Sequence, residues 1–263
     1  MSVVSAVAAS HVGNVRPNNE DNFFLNGKVY FPKSDTSYIT DESTGGLYAV
    51  CDGMGGDAHG ELASKIAVTT LSEFFEEIYN SKDSFDKAIA RYTESANARI
   101  CEIIEQNGQR MGTTLALLYL RDEHAIAANI GDSRVYYFKK NFLRENQLIQ
   151  LSKDHNQIRQ LIELGVITRE DAKTHPARHT LTQHLGIFSH EMIVEPFISL
   201  PVKLKRGDIF LLCSDGLTDM LENDEITSIM SAHSELQKTA EMLIDAALRN
   251  GGHDNVTVVL VGT

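Results

Sequence analysis

Apolar and polar positions follow two different periods along this chain. Short apolar runs at 3–9, 22–25 and 48–51 lie between polar turns, a pattern typical of buried β-strands. Apolar residues then recur at helical spacing over 63–78 and again over 85–104. Each of these two stretches has a single apolar stripe, so the sequence predicts two helices that each cover a face of another layer.

The strand pattern returns after the second helix. Four β-type runs with turn signals between them predict an antiparallel meander, at 113–120, 125–130, 135–138 and 148–151. Residues 154–190 are mixed and polar, with short helical pieces at 158–164 and 169–173. The remaining pattern predicts strands at 193–200 and 209–213, a helix at 224–230, a capping box at 234–237 that opens a last helix, and a final strand up to Thr263.

The order of these elements bears on the fold class. Strands and helices do not alternate as βαβ units, so a doubly wound parallel sheet is disfavoured. Two antiparallel sheets with helices outside fit the order better. A length of 263 residues allows one large domain or two small ones. Because no repeat, low-complexity segment or linker divides the chain, we expect a single domain.

Aspartates stand at the ends of several apolar runs. One run leads straight into Asp52 and a glycine-rich turn, and a second leads into Asp215. Asp254 comes just before a third run, and Asp132 follows a fourth. A carboxylate at the end of a buried strand is costly unless a cation or several donors satisfy it. The repeated pattern therefore predicts one metal site with oxygen ligands.

The residue types at these positions select the metal. Oxygen ligands without cysteine or an obligatory histidine favour Mg²⁺, Mn²⁺ or Ca²⁺ over zinc or copper. The calcium-loop spacing is absent and several aspartates leave room for water, which favours Mg²⁺ or Mn²⁺. Two such ions could share a water and lower its pKa. Glu20 and Asp21 add two carboxylates, and Arg16 is a candidate fork for phosphate oxygens.

Each of these residues also has a simpler interpretation. A lone aspartate before glycine is usually a turn residue, and a lone arginine in a loop is more often solvated or salt-bridged than catalytic. Repetition of one pattern at three or more strand ends favours the metal site. Spacing alone therefore predicts an acidic metal site with hydrolytic chemistry, and no particular substrate.

Charge and cysteine content narrow the classes of partner. The chain has 24 Lys+Arg against 36 Asp+Glu, a net charge of -12, which argues against a broad surface for nucleic acid or anionic membrane. Three cysteines without a C-x-x-C pair predict neither a disulfide framework nor a zinc finger, so the cytoplasm is the expected compartment. No apolar run approaches the length of a membrane span, and the first ten residues lack the basic start of a signal peptide.

Eight short motifs occur in one order along the chain. They are Arg16-Pro-Asn-Asn-Glu20-Asp21, Asp52-Gly-Met-Gly-Gly56, Met111-Gly-Thr-Thr114, Ile130-Gly-Asp-Ser-Arg134, Lys153-Asp-His155, Leu181-Thr182 with Leu185-Gly186, Cys213-Ser-Asp-Gly-Leu217 and Asp254-Asn255. No single motif is specific, but eight in this order over nearly the whole chain make chance an implausible explanation. On these residues the chain resembles the metal-dependent protein serine/threonine phosphatases of the PPM (PP2C-like) family, bacterial branch.

The resemblance implies an α+β fold, a four-layer α-β-β-α sandwich of two antiparallel sheets flanked by helix pairs. It implies a single domain over residues 1–263, with a flap subdomain at about 153–190. It also implies a binuclear site of Mn²⁺ or Mg²⁺ at one end of the sandwich. There Asp52 would bridge the two ions, Asp215 and Asp254 would complete the first, and the carbonyl of Gly53 would bind the second, with Glu20 reaching it directly or through water.

The resemblance assigns the remaining site residues as well. Asp132, with Asp215, would hold a weaker third ion, and Arg16 would grip the substrate phosphate. Asp21 and Asn255 would orient the ligands from behind. The implied reaction is hydrolysis of phosphoserine or phosphothreonine in proteins, in one step, by a hydroxide that bridges the metals, with Arg16 and the metals stabilising the charge.

The chain departs from the family pattern at several positions. Met54 stands where animal relatives carry a histidine proposed as the general acid, and methionine cannot donate a proton. In the flap, His179 stands where the family usually has asparagine, a change expected to affect substrate approach or the third metal. The four histidines in or beside the flap either make activity pH-sensitive or are surface residues, and the second interpretation is preferred: His175, His179, His184 and His190. The loop over 27–46 is either a partner surface or a tolerated insertion.

Two rival functions are weighed against the phosphatase. A catalytically silent PP2C-fold regulator that binds phosphoproteins would typically have lost its metal aspartates, which this chain keeps. A two-metal nuclease or phosphodiesterase is opposed by the net charge of -12. The expected partners are phosphorylated proteins, including a eukaryotic-like Ser/Thr kinase and its substrates, with no nucleic acid and no membrane. The expected state is a monomer.

Overall fold

The computed structural model describes residues 4–32, 37–55, 59–80, 84–141, 145–172 and 174–263. Three predictions fall partly outside these ranges: the end of the glycine-rich turn at Gly56, part of the 27–46 loop, and Lys173 at the end of a short helix. The first predicted strand is described from Val4 onward.

Strands and helices both contribute to the described chain, and the helices occur in three stretches between strands. The strands are β1 Val4–His11, β2 Asn22–Leu25, β3 Lys28–Tyr30, β4 Ser37–Ser43, β5 Gly46–Cys51, β6 Gly53–Met54, β7 Gly112–Thr113, β8 Leu115–Arg121, β9 His124–Ile130, β10 Arg134–Lys139, β11 Gln147–Gln150, β12 Phe197–Ile198, β13 Val202–Lys203, β14 Ile209–Cys213 and β15 Val256–Gly262. The helices are α1 His59–Glu73, α2 Phe75–Asn80, α3 Phe85–Asn107, α4 Gln157–Glu163, α5 Arg169–Ala172, α6 Asp215–Thr218, α7 Asn223–Ala232 and α8 Leu236–Arg249.

The strands form two large antiparallel sheets. The six-stranded sheet has the order β11-β10-β14-β15-β1-β4. The seven-stranded sheet has the order β12-β9-β8-β5-β2-β3, with β13 also paired to β9. Strands β6 and β7 form a short ribbon beside them. The excursion over 27–46 thus contributes to both sheets, because β3 pairs with β2 and β4 pairs with β1.

Alternating side chains join the layers, since successive residues of a strand point to opposite faces. Phe23 of β2 and Phe210 of β14 belong to the core between the two sheets. Their neighbours Phe24 and Leu211 face the other way, Phe24 into the core under α1 and α3 and Leu211 into the core under α7 and α8. Each of these fully buried side chains contributes roughly 1.5–3 kcal/mol. The predicted α-β-β-α sandwich is therefore confirmed.

Strand pairing brings distant motifs to one end of the sandwich. β1 ends where β15 begins, because His11 pairs with Val256. β14 ends beside the same point, because Cys213 pairs with Val258. β5 of the other sheet ends across from them. The residues that follow β5 and β14, and those that precede β15, therefore meet around one cavity.

Three local predictions differ from the structure. The strand predicted over 193–200 is wrong in extent, since only Phe197–Ile198 pairs with β9; Pro196 and Pro201 flank this pair and have no amide to donate. The predicted single helix over 63–78 is two helices, α1 and α2, although one apolar stripe runs through both. The predicted capping box at 234–237 is wrong, because α8 has Glu235 at its N-cap, so Gln237 sits one position too early to close the box.

In the described part of the chain, no helix has both the length and the apolar content to cross a membrane.

Gly13 lies in the turn after β1, where the backbone packs closely against the segment that carries Asp254. Its φ is +84°, and a Cβ there would meet the backbone carbonyl oxygens of Asp254 and of Gly252, the latter at 2.8 Å. Gly108, the C-cap of α3, has a similar φ of +69° but open space around its Cβ position. Left-handed backbone alone costs a non-glycine residue about 1–2 kcal/mol.

We therefore expect Gly108→Ala to lower the free energy of unfolding by about 1–2 kcal/mol. Gly13→Ala should lower it by clearly more, because the turn must also move away from the Asp254 backbone. Urea denaturation of both variants measures the difference. Equal losses in the two variants would show that the turn at Gly13 is not tightly packed.

Candidate metal centre

A cavity of about 440 Å³ opens where the strand ends meet. All seven residues predicted to bind metal or phosphate line it: Arg16, Glu20, Asp52, Gly53, Asp132, Asp215 and Asp254. The two residues predicted to orient them, Asp21 and Asn255, are buried and hydrogen-bond to residues beside the cavity. The structure thus brings together every residue of the predicted constellation, from motifs spread over more than 230 positions of sequence.

Asp52 is held through its backbone. Its carbonyl oxygen accepts hydrogen bonds from Thr113 Oγ1 at 2.8 Å and from the amide of Thr114 at 2.9 Å. Its amide donates to Thr114 Oγ1 at 3.0 Å, and that hydroxyl also lies 2.7 Å from Ser133 Oγ. The motifs that contain Thr113–Thr114 and Ser133 therefore converge on Asp52. None of these bonds involves the carboxylate of Asp52.

Asn255 fixes the loop that carries Glu20. Its Oδ1 accepts the amide of Glu20 at 2.7 Å, while its Nδ2 donates to the carbonyl oxygens of Val12 at 2.8 Å and Asn18 at 2.9 Å. Its own amide donates to Asp254 Oδ1 at 2.8 Å. The single residue Asn255 thus positions both Glu20 and Asp254, which fits the orienting role predicted for it.

Glycines let three segments approach each other beside the cavity. A Cβ at Gly53 would lie 2.7 Å from the carbonyl oxygen of Glu20 and still closer to that of Gly60. A Cβ at Gly60 would lie 2.7 Å from Cδ of Glu20. Because glycine has no Cβ, the start of α1 can pack directly against Glu20 and the Gly53 peptide. A larger residue at Gly53 or Gly60 would prevent this contact.

Asp21 is a fully buried carboxylate behind the cavity. Its Oδ2 accepts a hydrogen bond from Ser214 Oγ at 2.8 Å, whereas Oδ1 has no hydrogen-bond partner among the described residues. Burial raises the pKa of Asp21 to about 7, although hydrogen bonds from Thr257 and Ser214 act to lower it. Asp21 therefore keeps its proton to a higher pH than a carboxyl group in water.

Several carboxyl groups that line the cavity have raised pKa values, among them Asp52, Asp132 and Asp215. Burial is the largest cause of the raised pKa of Asp52, followed by the negative charges of Asp21 and Asp215. Burial likewise raises the pKa of Asp215 and, with the charge of Asp154, raises that of Asp132 to about 7. These groups can ionise together near neutral pH only where positive charge compensates them.

Arg16 supplies part of that positive charge. Its Nη2 donates to Asp254 Oδ2 at 2.6 Å, with the two side chains 53% and 35% exposed. Burial acts to lower the pKa of Arg16, but the charges of Asp254, Glu20 and Asp52 raise it above its usual value. The predicted phosphate-binding arginine thus contacts a predicted metal ligand in this structure.

The donors around the cavity fit a hard divalent cation. Asp215 Oδ1 is buried and has no hydrogen-bond partner among the described residues. Such an oxygen is costly unless a donor or cation satisfies it. The cavity offers several carboxylates and no thiol, a ligand set that suits Mg²⁺ or Mn²⁺. The residues that could hold such ions are the lining carboxylates and the carbonyl of Gly53.

Asp219 and His179 are cavity residues that were not predicted as ligands and that lie against each other. Asp219 lies four positions after Asp215, one helical turn along α6, and that spacing is a signal the sequence already contained. His179 was interpreted as a surface histidine; it is about half exposed, yet it lines the cavity and its Nδ1 lies 3.2 Å from Asp219 Oδ2. No local pattern connects His179 with Asp219.

An ion pair beside the cavity was also not predicted. Arg134 donates from Nη2 to Asp154 Oδ2 at 2.7 Å, and its Nε reaches both carboxylate oxygens at 3.0 and 3.1 Å. Arg134 begins β10, and Asp154 stands at the start of the segment predicted as a flap. The pair therefore ties that segment to the six-stranded sheet.

The two buried cysteines near the predicted ligands, Cys51 and Cys213, are poorly suited to act as nucleophiles. Burial raises the pKa of the Cys213 thiol to about 12 and raises that of Cys51 further. Both side chains pack in apolar cores beneath the ends of their strands. A thiolate at either position would be strongly disfavoured.

Comparison with known proteins agrees with this geometry. The profile of the family described as Protein phosphatase 2C matches residues 31–250. The serine/threonine phosphatase stp of Listeria welshimeri is 33% identical over 255 residues, covering 95% of this chain and 92% of that protein. The protein phosphatase PhpP of Streptococcus pneumoniae is 33% identical over 252 residues, covering 95% and 94%.

Solved structures extend the likeness to three dimensions. The crystal structure of the Mycobacterium tuberculosis serine/threonine phosphatase PstP/Ppp superposes with a TM-score of 0.81 at 30% identity, covering 99% of both chains. The catalytic domain of serine threonine protein phosphatase PstP in complex with two manganese ions superposes with a TM-score of 0.75 at 30% identity, again over 99% of both chains. With the family profile, the relatives and the fold in agreement, this chain is a member of the protein phosphatase 2C family of serine/threonine phosphatases.

Proposed function

We propose that this chain is a Mg²⁺- or Mn²⁺-dependent phosphoprotein phosphatase that hydrolyses phosphoserine and phosphothreonine. The observation that carries the proposal is the convergence of every predicted ligand on one cavity, together with a buried, unpaired carboxylate oxygen of Asp215. A manganese-bound relative of the same fold supports the choice of metal.

We assign the metal-holding roles as the family resemblance implies them. Asp52, Asp215 and Asp254 would hold one divalent ion, and Asp52 with Glu20 and the carbonyl of Gly53 would hold another. Asp132 would contribute, with Asp215, to a weaker third ion. When bound, divalent ions supply Lewis acidity, which lowers the pKa of water and neutralises phosphate charge. Asn255 orients Glu20 and Asp254 through the hydrogen bonds described above, and Asp21 acts through Ser214, the residue before Asp215.

Arg16 is the residue that we assign to the phosphate. Its guanidinium has five donors in a planar fork, a geometry that matches the oxygens of a phosphate monoester. It already lines the cavity and is half exposed, so it can exchange Asp254 for a substrate oxygen without unfolding the loop. The Arg16 guanidinium would then stabilise the negative charge of the phosphate from a position it already occupies before the reaction.

The nucleophile in this proposal is water. The buried thiols of Cys51 and Cys213 have raised pKa values and do not line the cavity, so no phosphoenzyme is formed through them. Met54 lines the cavity but has no proton to donate, so it does not act as the acid for the leaving group.

Substrates and partners follow from the reaction class. We propose phosphorylated proteins as substrates, with a eukaryotic-like Ser/Thr kinase and its targets among them, and action in the cytoplasm as a monomer. The names of the relatives, serine/threonine phosphatases of bacteria, support this substrate class. A silent phosphoprotein-binding regulator and a nuclease remain weaker alternatives, because all the ligand carboxylates are present and the net charge is -12.

The first test is the metal dependence of hydrolysis. The wild-type chain should hydrolyse p-nitrophenyl phosphate and a phosphothreonine peptide with Mn²⁺ or Mg²⁺ and lose activity with a chelator. Asp52→Asn should lower kcat at least ~100-fold, because a shared ligand is lost. Asp122→Asn is the matched control, since Asp122 lies in the exposed turn between β8 and β9. The proposal would be contradicted if the wild-type rate of hydrolysis did not depend on Mn²⁺ or Mg²⁺, or if Asp52→Asn kept full activity.

The second test separates phosphate binding from metal binding. Arg16→Ala should raise KM for the phosphothreonine peptide at least ~10-fold with a smaller change in kcat, because the lost fork contacts the bound substrate. Mn²⁺ affinity should not fall, since Arg16 pairs with a ligand instead of acting as one. Arg99→Ala removes an arginine–glutamate pair of similar length and exposure on the helices and serves as the control. An unchanged KM in Arg16→Ala would overturn its phosphate role.

The third test follows from the raised pKa of the carboxylates. Burial raises the pKa of Asp132 from 3.8 to about 7, so between these values the unfolded chain releases its proton before the folded chain does. The metal-free protein should therefore lose stability as pH rises through that window. Divalent ions bind the ionised form, so the stabilisation they give should grow over the same range.

Thermal unfolding with a chelator and with Mn²⁺ at about pH 5.5 and about pH 7.5 measures this effect. The gain in Tm from Mn²⁺ should be larger at the higher pH by at least ~2–4 °C, the shift that about 1 kcal/mol produces in a domain of this size. A gain that is equal at both pH values would show that these carboxylates are already ionised without metal.

A further inference from the structure

A histidine of the flap lies beside two aspartates at the two ends of α6. His179 Nδ1 is 3.2 Å from Asp219 Oδ2. One ligand atom from each of His179, Asp215 and Asp219 lies within 4.8 Å of the other two. Asp132, which the resemblance places with Asp215 at a third ion, does not belong to this trio. An imidazole therefore stands where the family pattern led us to expect oxygen ligands only.

The two aspartates come together for a local reason. Asp215 is the first residue of α6 and Asp219 is its C-cap, and the amide of Asp219 donates to the carbonyl oxygen of Asp215 at 2.7 Å. This single helical turn places both side chains on one side. His179 arrives from a segment about 40 positions earlier, so the trio joins two separate parts of the chain.

A second observation points to a ligand at this place. Asp215 Oδ1 is buried and has no hydrogen-bond partner among the described residues. Asp215 and Asp219 also repel each other, and Arg178 of the flap supplies a positive charge that acts on Asp219. Two acidic side chains and an imidazole at this spacing can surround one cation.

We propose that His179, Asp215 and Asp219 together bind one divalent transition-metal ion through an imidazole nitrogen, which fastens the flap to α6. The inference rests on the proposed function, because Asp215 belongs both to this trio and to the proposed pair of ions. It goes further by giving the metal centre a nitrogen ligand carried by the flap.

A nitrogen ligand changes which metals the protein prefers. Mg²⁺ binds oxygen and keeps much of its water, whereas Mn²⁺ and later first-row ions accept imidazole more readily. The chain should therefore hold Mn²⁺ at this place more tightly than Mg²⁺. Flap closure would in turn depend on which of the two metals is present.

Binding of an ion to His179, Asp215 and Asp219 also changes the contact between Arg178 and His179 inside the flap. Arg178 Nε now donates to His179 Nε2 at 2.6 Å, which requires a lone pair on Nε2. If the ion binds Nδ1, the proton moves to Nε2, and if the ion binds Nε2, the lone pair is used. In both cases this hydrogen bond breaks. Arg178 lines the same cavity, so metal binding at His179 repositions a second guanidinium beside the substrate.

Pulsed EPR of Mn²⁺ bound to the full chain tests the proposal directly, because ¹⁴N of a coordinated imidazole modulates the electron spin echo. The matched variants are His179→Phe and His190→Phe. Each keeps a planar ring; His190 lies in the same segment, is exposed and stacks on Phe188, away from the trio. We expect ¹⁴N modulation in the wild-type protein and in His190→Phe, and its loss in His179→Phe.

A Mn²⁺ titration provides a second measure. His179→Phe and Asp219→Asn should each weaken the binding of one ion at least ~10-fold, with His190→Phe unchanged. Absence of ¹⁴N modulation in wild-type protein saturated with Mn²⁺, or its persistence in His179→Phe, overturns the inference while the proposed function stands. Failure of the wild-type chain to bind Mn²⁺ at all overturns both.

Discussion

Repulsion among buried carboxylates at one end of the sandwich is the constraint on which the rest of this structure depends. Asp21 is fully buried, whereas Asp52 and Asp215 are partly buried and line the cavity, and burial is the main cause of the raised pKa of each. Gathering them is unfavourable unless positive charge arrives. The fold must therefore hold these residues in place by interactions that do not involve their charge.

Neutral side chains hold the backbone of two predicted ligands, Asp52 and Glu20. Thr113 and Thr114 bind the backbone of Asp52, and Asn255 binds the backbone of Glu20. Because these bonds end on peptide groups, they fix position while leaving carboxylate oxygens available for cations. The oxygen of Asp215 that has no partner among the described residues fits the same arrangement. A salt-bridged site of equal rigidity would have used up the charges that the proposed chemistry needs.

The flap is attached to the same scaffold at both ends. Its first residues are held by the Arg134–Asp154 ion pair. Near its last residues, Leu185 exchanges two backbone hydrogen bonds with Thr113, the residue that also binds the carbonyl of Asp52. Movement of the segment between these anchors would therefore leave Asp52 in place. His179 lies in that middle part, where a contact with Asp219 can form or break without disturbing the anchors.

The sequence by itself determined the layers, the antiparallel arrangement and the chemical type of the site. Hydrophobic periods of 2 and 3.6 are local properties of the backbone, and aspartates at strand ends can be recognised one at a time. The strand predicted over 193–200 is too long, because Pro196 within it has no amide to donate and only Phe197–Ile198 pairs with β9. Tertiary structure alone decided which charges meet: Arg16 with Asp254, Arg134 with Asp154, and His179 with Asp219. These contacts join residues 20 to 238 positions apart, and only the packing of sheets and flap, which no local period encodes, sets their distances.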